Sequence, residues 1–186
     1  DSDDLSALKT GSMRVQVTEL AQKDVWQSDL ITDKNKTDTV NAGIITINGK
    51  DIDTNGKSYS DVVKEINKID GVQASLVENS AGEFRLSIKS TETGAANKIN
   101  FNTKDTSGND LGVSVGAAKL FGDGSILNDD LNVLKAQDME LTADGVNYSS
   151  SSNTVTIDGL KITATKETGD STINIENDTT TLSAQM

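Results

Sequence analysis

The sequence predicts an α+β, β-rich protein made of two small domains. Apolar and polar residues alternate through most of the chain, which is typical of antiparallel strands with one solvated face. A single segment, Tyr59 to Ile69, carries its apolar residues at helical spacing instead. Hydrophobic residues make up 34% and aromatic residues 3% of the 186 residues, so large side chains for one big core are scarce.

The N-terminal segment supplies one predicted strand. Residues 1–10 are polar, and we expect them to be frayed. Alternation from Met13 to Thr18 predicts a half-buried strand. We interpret Trp26, the only tryptophan, as a core anchor and not as a platform for stacking ligands. Asp29 to Asn41 is rich in Asp, Lys, Asn and Thr, and predicts a linker or exposed loop.

The segment from Gly43 to Asn97 predicts a compact α+β unit. Its first strand ends in a turn at Asn48-Gly49, because both residues tolerate positive φ. The helix begins after the N-cap Ser58 and ends before Gly71. Two sets of alternating apolar residues then predict a β-hairpin: Val72, Ala74 and Leu76, followed by Phe84, Leu86 and Ile88. Each element has one apolar face, so the elements should close on one another.

The segment that follows this unit is harder to interpret. Ile99 and Phe101 are compatible with a further strand, and Asp105 to Asp110 predicts a turn. Leu111 to Leu134 favours neither strand nor loop, although one short helical face is compatible with the spacing of Leu127, Leu131 and Leu134.

The C-terminal segment predicts antiparallel strands. Turns are expected at Asp144-Gly145, at Asp158-Gly159 and over residues 166–170, with strands on either side of each and Ile173 and Ile175 in the last. Lys161, Lys166 and Glu176 should protect the edges from association. One or two N-terminal strands are too few to be stable alone, so Met13–Thr18 should pair with these strands. The prediction is a discontinuous β-rich domain of residues 1–42 plus 136–186, with residues 43–135 inserted as an α+β domain.

The composition excludes several classes of function. The net charge of −12 and a pI near 4.3 make nucleic acid and anionic membranes poor partners. Histidine and cysteine are absent, which removes the commonest general base, thiolate sites and disulfides. The sequence has no apolar run of about 18 residues that would span a membrane. The start, DSDDLSALKT, lacks the basic and apolar regions of a signal peptide.

One motif has the spacing of a metal site. Asp51-Ile52-Asp53-Thr54-Asn55-Gly56 matches the first half of a calcium-binding loop. The second half does not match, because position twelve is Val62 where a glutamate is needed, and Asp61 comes one place early. We therefore predict an ordinary Asp/Asn/Gly turn, and no metal or cofactor.

Other candidate sites have simpler interpretations. The pairs Asp129–Asp130 and Asp61–Glu65 are interpreted as surface acids, since nothing places a cleft around them. The serines from Ser149 to Ser152 have no histidine to activate them. Lys98 and Lys104 beside Phe101 do not make a nucleic-acid footprint in an acidic chain. The tripeptide Asn147 to Ser149 fits the glycosylation pattern only for a eukaryotic secretory setting. We predict no catalytic residue, and hence no enzyme.

Three segments, in this order, resemble bacterial flagellar proteins. The first is VQVTELAQKD (Val15 to Asp24). The second runs from ING through EIN, GVQASLV, FRLSIKS and TETGAAN (Ile47 to Asn97). The third is SSSNTVTIDGLKITATKETG (Ser150 to Gly169), in which the link between SSNTVT and IDG is shorter than the family usually shows. Together they resemble the flagellar filament cap family most, over well more than half of the chain.

The resemblance implies a structural role. It implies two head domains, one inserted into the other, without the long terminal helices of hook-associated proteins. The implied partners are flagellin and other subunits of a ring at the distal tip of the filament, reached by export without a cleaved signal peptide. Because the family's oligomer contacts lie largely in the helical regions, we expect this chain alone to be a monomer or weak oligomer.

Two other functions remain open at this stage. The motif beginning at Ile47 also occurs in flagellins and hook–filament junction proteins, whose outer domains this chain could be. An adhesin module for host surface glycans or mucin is the other alternative, although no cluster of aromatic residues supports sugar stacking.

Overall fold

The computed structural model describes residues 11–32, 38–167, 171–175 and 180–182. It is 13% helical and 46% strand with several antiparallel sheets, which confirms the predicted α+β, β-rich class. The predictions for residues 1–10, 168–170 and Glu176 lie outside the described residues. The chain divides into two units: Asp1–Gln22, Glu92–Ala96 and Ala136–Met186 form the first, and Lys23–Thr91 and Asn97–Lys135 form the second.

The strands of the described residues, in chain order, are β1 (Gly11–Glu19), β2 (Val25–Gln27), β3 (Ile44–Ile47), β4 (Lys50–Asp53), β5 (Val72–Glu78), β6 (Phe84–Ser90), β7 (Asn102–Lys104), β8 (Asp110–Val113), β9 (Asn132–Leu134), β10 (Met139–Ala143), β11 (Val146–Ser150), β12 (Thr154–Ile157), β13 (Leu160–Ala164), β14 (Ser171–Ile175) and β15 (Thr180–Leu182). The helices are α1 (Tyr59–Ile66) and α2 (Val115–Leu120), with short 3₁₀ turns at Ala95–Asn97 and Asp129–Leu131.

The first unit is built around β1. This strand lies between β10 and β14 in a sheet of order β11-β10-β1-β14, with antiparallel pairs on both sides. Val15 lies opposite Ala143 and Met13 lies opposite Ile173, so the predicted pairing of the N-terminal strand with C-terminal strands is confirmed. A second sheet has the order β12-β13-β15. The core contains these buried side chains: Met13, Val15, Val17, Ala21, Met139, Leu141, Ala143, Ile157, Leu160, Ile162 and Ala164.

The second unit is built around a sheet of order β5-β6-β2-β9. Helix α1 packs on β5 through its buried Val62 and Ile66, and α2 packs on the β3–β4 hairpin. A further hairpin, β7–β8, follows the sheet strands. The core contains Trp26, Ile45, Ile47, Ile52, Val62, Ile66, Val72, Leu86, Ile88, Ile99, Phe101, Ala117 and Phe121.

Trp26 is an anchor of this core. Its side chain is 4% exposed, and its ring meets Phe101 and Phe121 edge to face at centroid distances of 5.6 and 6.1 Å. This arrangement is favourable for aromatic pairs beyond the area they bury. The interpretation of Trp26 as a core residue is confirmed, and the ring offers no open face to a stacked ligand.

The boundary predicted between the two domains differs from the observed one. The sequence predicts residues 23–42 in the discontinuous domain, but those that the structure describes, 23–32 and 38–42, lie in the second unit. The reason is that β2 pairs with β6, with Trp26 opposite Ile88, and that Ile31 bridges to Phe84. The segment Glu92–Ala96 lies in the first unit instead of the inserted one.

Several predicted elements also differ in their ends or type. Helix α1 ends at Ile66, three residues before the predicted end at Ile69, because Asn67 caps it. Ile99 and Phe101 are buried but lie outside the strands. Leu127, Leu131 and Leu134 do not share one helical face, because Leu134 belongs to β9 and is exposed. The described part of residues 29–41 is tied into the second unit, since Thr39 bridges to Ser58.

Candidate functional site

The calcium-like motif forms a turn whose polar groups bind one another and neighbouring residues of the second unit. Asp51 Oδ1 accepts a hydrogen bond from Thr46 Oγ1 at 2.8 Å, and Asp53 Oδ1 accepts one from the Asn55 amide at 3.0 Å. Gly56 has φ of +74° and donates its amide to Asn41 Oδ1 at 3.0 Å. These are the bonds of an Asp/Asn/Gly turn. Within the described residues, no group of three or more acidic side chains is placed to hold a metal ion.

Thr54, at the centre of this turn, was not identified from the sequence. Its side chain is fully buried, and its Oγ1 donates to the Gly43 carbonyl at 2.6 Å while accepting from the Ala42 amide at 2.9 Å. The hydroxyl therefore joins the start of the β3–β4 hairpin to its end. No sequence signal distinguishes it from an exposed turn threonine.

The paired carboxylates lie on the surface and pair with lysines. Asp129 Oδ2 lies 3.1 Å from Lys135 Nζ, and Glu65 Oε1 lies 3.1 Å from Lys68 Nζ. The amide of Asp61 donates to Ser58 Oγ at 3.1 Å, which is the predicted N-cap of α1. These contacts stabilise local structure, but Asp129 also lines a cleft on the second unit, contrary to the prediction that no cleft surrounds the Asp129–Asp130 pair.

The serine run is also structural. Ser149 Oγ donates to Glu140 Oε1 at 2.9 Å, and Ser150 Oγ donates to the Thr154 carbonyl at 2.8 Å. Asn147 is exposed on β11. Phe101, which lies between Lys98 and Lys104 in the sequence, is buried in the aromatic cluster of the second unit. The two lysines therefore do not flank an accessible aromatic face.

A cleft of about 450 Å³ opens on the second unit. Its lining combines apolar side chains with amides and charges: Trp26, Lys98, Ile99, Asn100, Phe101, Asn102, Leu127, Asp129 and Asn132. The indole Nε1 of Trp26 is buried and has no hydrogen-bond partner among the described residues. The two aromatic rings are almost fully buried, and the cleft exposes polar and apolar surface in similar amounts.

Three surface aspartates of the second unit are held in the ionised form by hydrogen bonds. The Asn109 amide and side chain, helped by the Ser107 amide, lower the pKa of Asp105 below its usual 3.8. The side chain of Asn102 and the Gly112 amide lower the pKa of Asp110. The backbone amides of Ile126 and Ser125 lower the pKa of Asp123. In each case the carboxylate orders its own loop, because a charged acceptor binds donors more strongly.

Large apolar side chains are exposed on the second unit. Leu111 and Ile126 are 63% and 65% exposed, and Val115 and Ile44 are about half exposed. They lie in β8, α2, β3 and the loop after α2. No helix in the described part of the chain has the length and apolar character needed to cross a membrane.

Comparison with known proteins identifies the type of molecule. No protein-family model matches the sequence. Flagellar hook-associated protein 2 of Campylobacter jejuni is 30% identical, over 93% of this chain and 32% of its own length. The D1–D2–D3 domains of the Escherichia coli flagellar cap protein superpose with a TM-score of 0.67 at 27% identity, over 92% of this chain and 50% of that one. In sequence and in fold, this chain is similar to flagellar cap proteins.

The fold of this chain is also similar to that of a cap protein with lower sequence identity. The D2–D3 domains of the Serratia marcescens cap protein superpose with a TM-score of 0.63 at 22% identity, over 91% of this chain and 95% of that one. The chain thus corresponds in fold to the D2 and D3 domains of the family. It spans about a third of the length of the curated relative that it matches.

Proposed function

We propose that this chain is the outer, head part of a cap at the distal tip of a bacterial flagellar filament, which retains exported flagellin and promotes its assembly. The observation that carries the proposal is the similarity to cap proteins over more than nine-tenths of the chain, both in sequence and in fold. The relatives named above are cap proteins, which favours this role over the outer domains of a flagellin or of a junction protein.

The role we propose is mechanical and needs no reaction. The candidate acids and serines are engaged in local hydrogen bonds and ion pairs, which supports a non-enzymatic function. The work would be done by presenting sheet edges, loops and exposed apolar side chains to flagellin and to neighbouring subunits. The proposed location is extracellular, at the tip of the filament.

Deleting this region from the full-length protein tests the proposal. The gene would be returned to a cap-deficient strain with the codons for this region replaced by a short Gly-Ser linker, beside the intact gene as control. We expect unpolymerised flagellin in the medium, short or missing filaments by electron microscopy, and loss of swimming. Normal filaments and motility would contradict the proposal.

We propose that self-association into a ring belongs to the full-length protein and that this chain alone is a monomer or weak oligomer. Its net charge of −12 opposes close association of copies at low salt. Sedimentation velocity at tens of micromolar protein should give the mass of a single chain. A stable ring formed by this chain alone would contradict the expectation.

Binding to host surface glycans or mucin is a second proposed function. Its support is the cleft on the second unit, where the amides of Asn100 and Asn102 and the carboxylate of Asp129 could bind sugar hydroxyls. A glycan array probed with wild type and with Asn100→Ala and Asp129→Ala variants tests it. Binding that is lost in these variants supports the proposal, and the lack of any glycan signal contradicts it.

A further inference from the structure

Asp24 is a buried charge that the cap role does not explain. Its side chain is 1% exposed. Oδ1 accepts a hydrogen bond from Asn132 Nδ2 at 2.9 Å, and Oδ2 accepts one from the Ile99 amide at 2.8 Å. A buried carboxylate is strongly unfavourable unless it is fully hydrogen-bonded, so these contacts are needed for the residue to be tolerated.

The main chain of Asp24 joins a further segment. Its amide donates to Ser90 Oγ at 2.9 Å, and its carbonyl accepts from the Ser90 amide at 2.9 Å. Asn132 extends the same network, because its Nδ2 also contacts the carbonyls of Val25 at 3.0 Å and Leu134 at 2.7 Å. The side chains of Asp24 and Asn132 thereby connect three segments of the second unit, and the main chain of Asp24 joins a fourth, that of Ser90.

These four segments are the ones by which the chain enters and leaves the second unit. The chain passes between units at residues 22–23, 91–92, 96–97 and 135–136. Asp24, Ser90, Ile99 and Leu134 lie within three residues of these four crossings, one beside each. The sheet joins three of these segments, because β2 pairs with β6 and with β9. The segment of Ile99 lies outside the strands, and the carboxylate of Asp24 joins it to them.

We infer that Asp24 is a positioning residue that holds the two entry and two exit segments of the inserted unit in register. Only a carboxylate of this size offers an acceptor to the Ile99 amide and a second acceptor to Asn132 at once. In an Asp24→Asn variant, the side-chain oxygen could still accept one of these two hydrogen bonds. The NH₂ group would then face either the Ile99 amide or the Asn132 side-chain amide, both of which are donors. The charge is thus required by the geometry of the insertion and not by any ligand.

Hydrogen exchange of the whole chain tests this inference, with Asp24→Asn as the main variant. We expect the amides of Ile99, Ser90 and Trp26 to exchange at least about tenfold faster, since a lost buried hydrogen bond to a charge lowers local stability by this order. The amides of Val15 and Leu141 in the first unit should exchange at their original rates. A change of less than about twofold at Ile99 and Ser90 would overturn the inference.

Two further variants keep the test decisive. Asp138→Asn is the matched control, because Asp138 Oδ1 also accepts a backbone amide, that of Ala95 at 2.9 Å, but on an exposed site of the first unit. It should leave the exchange at Ile99 and Ser90 unchanged. Asn132→Ala, which leaves the bond from Ile99 to Asp24 in place, should speed exchange at Leu134 and Ser90 less than Asp24→Asn does. If Asp24→Asn does not fold, an unaffected Asn132→Ala variant would overturn the inference.

Discussion

Buried polar side chains decide local structure at several single residues of the second unit. Thr54 is the clearest, because its hydroxyl acts both as donor and as acceptor inside a turn that looks ordinary in the sequence. Asn132 uses one Nδ2 group to reach Asp24, Val25 and Leu134. Burying such polar groups in a low-dielectric site is unfavourable unless their hydrogen bonds are made. Removing one partner should therefore lower the free energy of unfolding.

Thr54→Val should destabilise the second unit. The valine keeps the shape of the side chain but leaves the buried Ala42 amide and the Gly43 carbonyl without this partner, at a cost of about 1–3 kcal/mol. Urea unfolding followed by the fluorescence of Trp26 measures the change, because that single tryptophan lies in the core of this unit. The exposed Thr106→Val is the control, and an equal effect of both variants would contradict the prediction.

Gly116→Ala should also destabilise the second unit, although alanine is the better helix former by about 1 kcal/mol. A Cβ at Gly116 would lie 2.7 Å from the Ile45 nitrogen and 2.8 Å from the Ile44 carbonyl, both backbone atoms of β3. Overpacking of this kind costs about 1–3 kcal/mol. Differential scanning calorimetry should show a lower Tm, whereas Lys119→Ala on the exposed side of α2 should leave it unchanged. A Tm raised by Gly116→Ala would refute the close approach of α2 to β3.

At the scale of single elements, one exposed sheet edge is protected by a side chain. Strand β5 lies at one edge of the four-stranded sheet, and Asn67 covers part of that edge. Its Oδ1 accepts from the Ala74 amide at 2.7 Å, and its Nδ2 donates to the Ala74 carbonyl at 3.0 Å. The side-chain amide thus takes the place that a neighbouring strand would fill, which limits edge-to-edge pairing.

Asn67→Ala should expose this edge of the sheet. The Ala74 amide loses its acceptor, so we expect it to exchange with solvent at least about tenfold faster. Sedimentation velocity would show in parallel whether the uncovered edge promotes association. Lys68→Ala, at the next exposed position, is the control. Unchanged exchange at Ala74 in Asn67→Ala would mean that the side chain does not cover the edge.

The stability of the β7–β8 hairpin should depend on pH through the protonation of Asp105. Because hydrogen bonds from Asn109 lower the pKa of Asp105 in the folded state, the folded state binds this proton less readily than the unfolded chain does. The stabilisation is present above the ordinary value of 3.8 and is lost as the pH falls through the lowered value. Carbon-detected NMR titration should place the midpoint of Asp105 below 3.8, and a midpoint at or above 3.8 would contradict the prediction.

Asp105→Asn supplies the matched control for this hairpin. The variant cannot titrate at this position, and it retains one side-chain oxygen to accept from the Ser107 or Asn109 amide. Chemical shifts of Ser107 and Asn109 should then stay constant between pH 5 and pH 2.5, apart from changes caused by other carboxylates. If the chemical shifts of Ser107 and Asn109 in Asp105→Asn still change with the midpoint seen in the wild type, then titration of Asp105 does not cause those changes.

At the scale of the whole molecule, we expect the excess of acidic residues to act on cations by screening and not through one binding site. The chain carries 29 acidic and 17 basic residues, so divalent cations will screen it without binding at one place. We expect millimolar calcium to change the Tm no more than the same concentration of magnesium, at constant ionic strength. A rise of several degrees with calcium alone would show that the Asp51–Gly56 turn binds the ion after all. The Asp53→Ala variant would then locate it.

The elements that could be predicted from the sequence are those whose signals are local. Alternation in β1 and in the hairpin of β5 and β6, and the turns at Asn48-Gly49 and Asp158-Gly159, depend on residues next to one another in the chain. Positive φ at Asn48 and Gly49, 49° and 80°, is a property of those two residues alone. The N-cap of α1 at Ser58 is local in the same sense.

The unit boundary and the polar network around Asp24 could not be predicted in this way. Strand β2 has three residues, too few to show a period, and it joins the second unit because β6 and β9 supply its partners. Asp24 meets Ile99 and Asn132 from 75 and 108 residues away, so nothing near it in the sequence shows that it is buried.

By itself, the sequence determined the β-rich class, the principal turns, the first helix and the similarity to cap proteins, because these follow from neighbouring residues and from motif order. Only the tertiary structure decided which unit contains residues 23–32 and 38–42, which distant segments Asp24 contacts, and which aromatic rings pack on Trp26. These features are set by contacts between distant segments, whose free energy is gained only when the chain has folded.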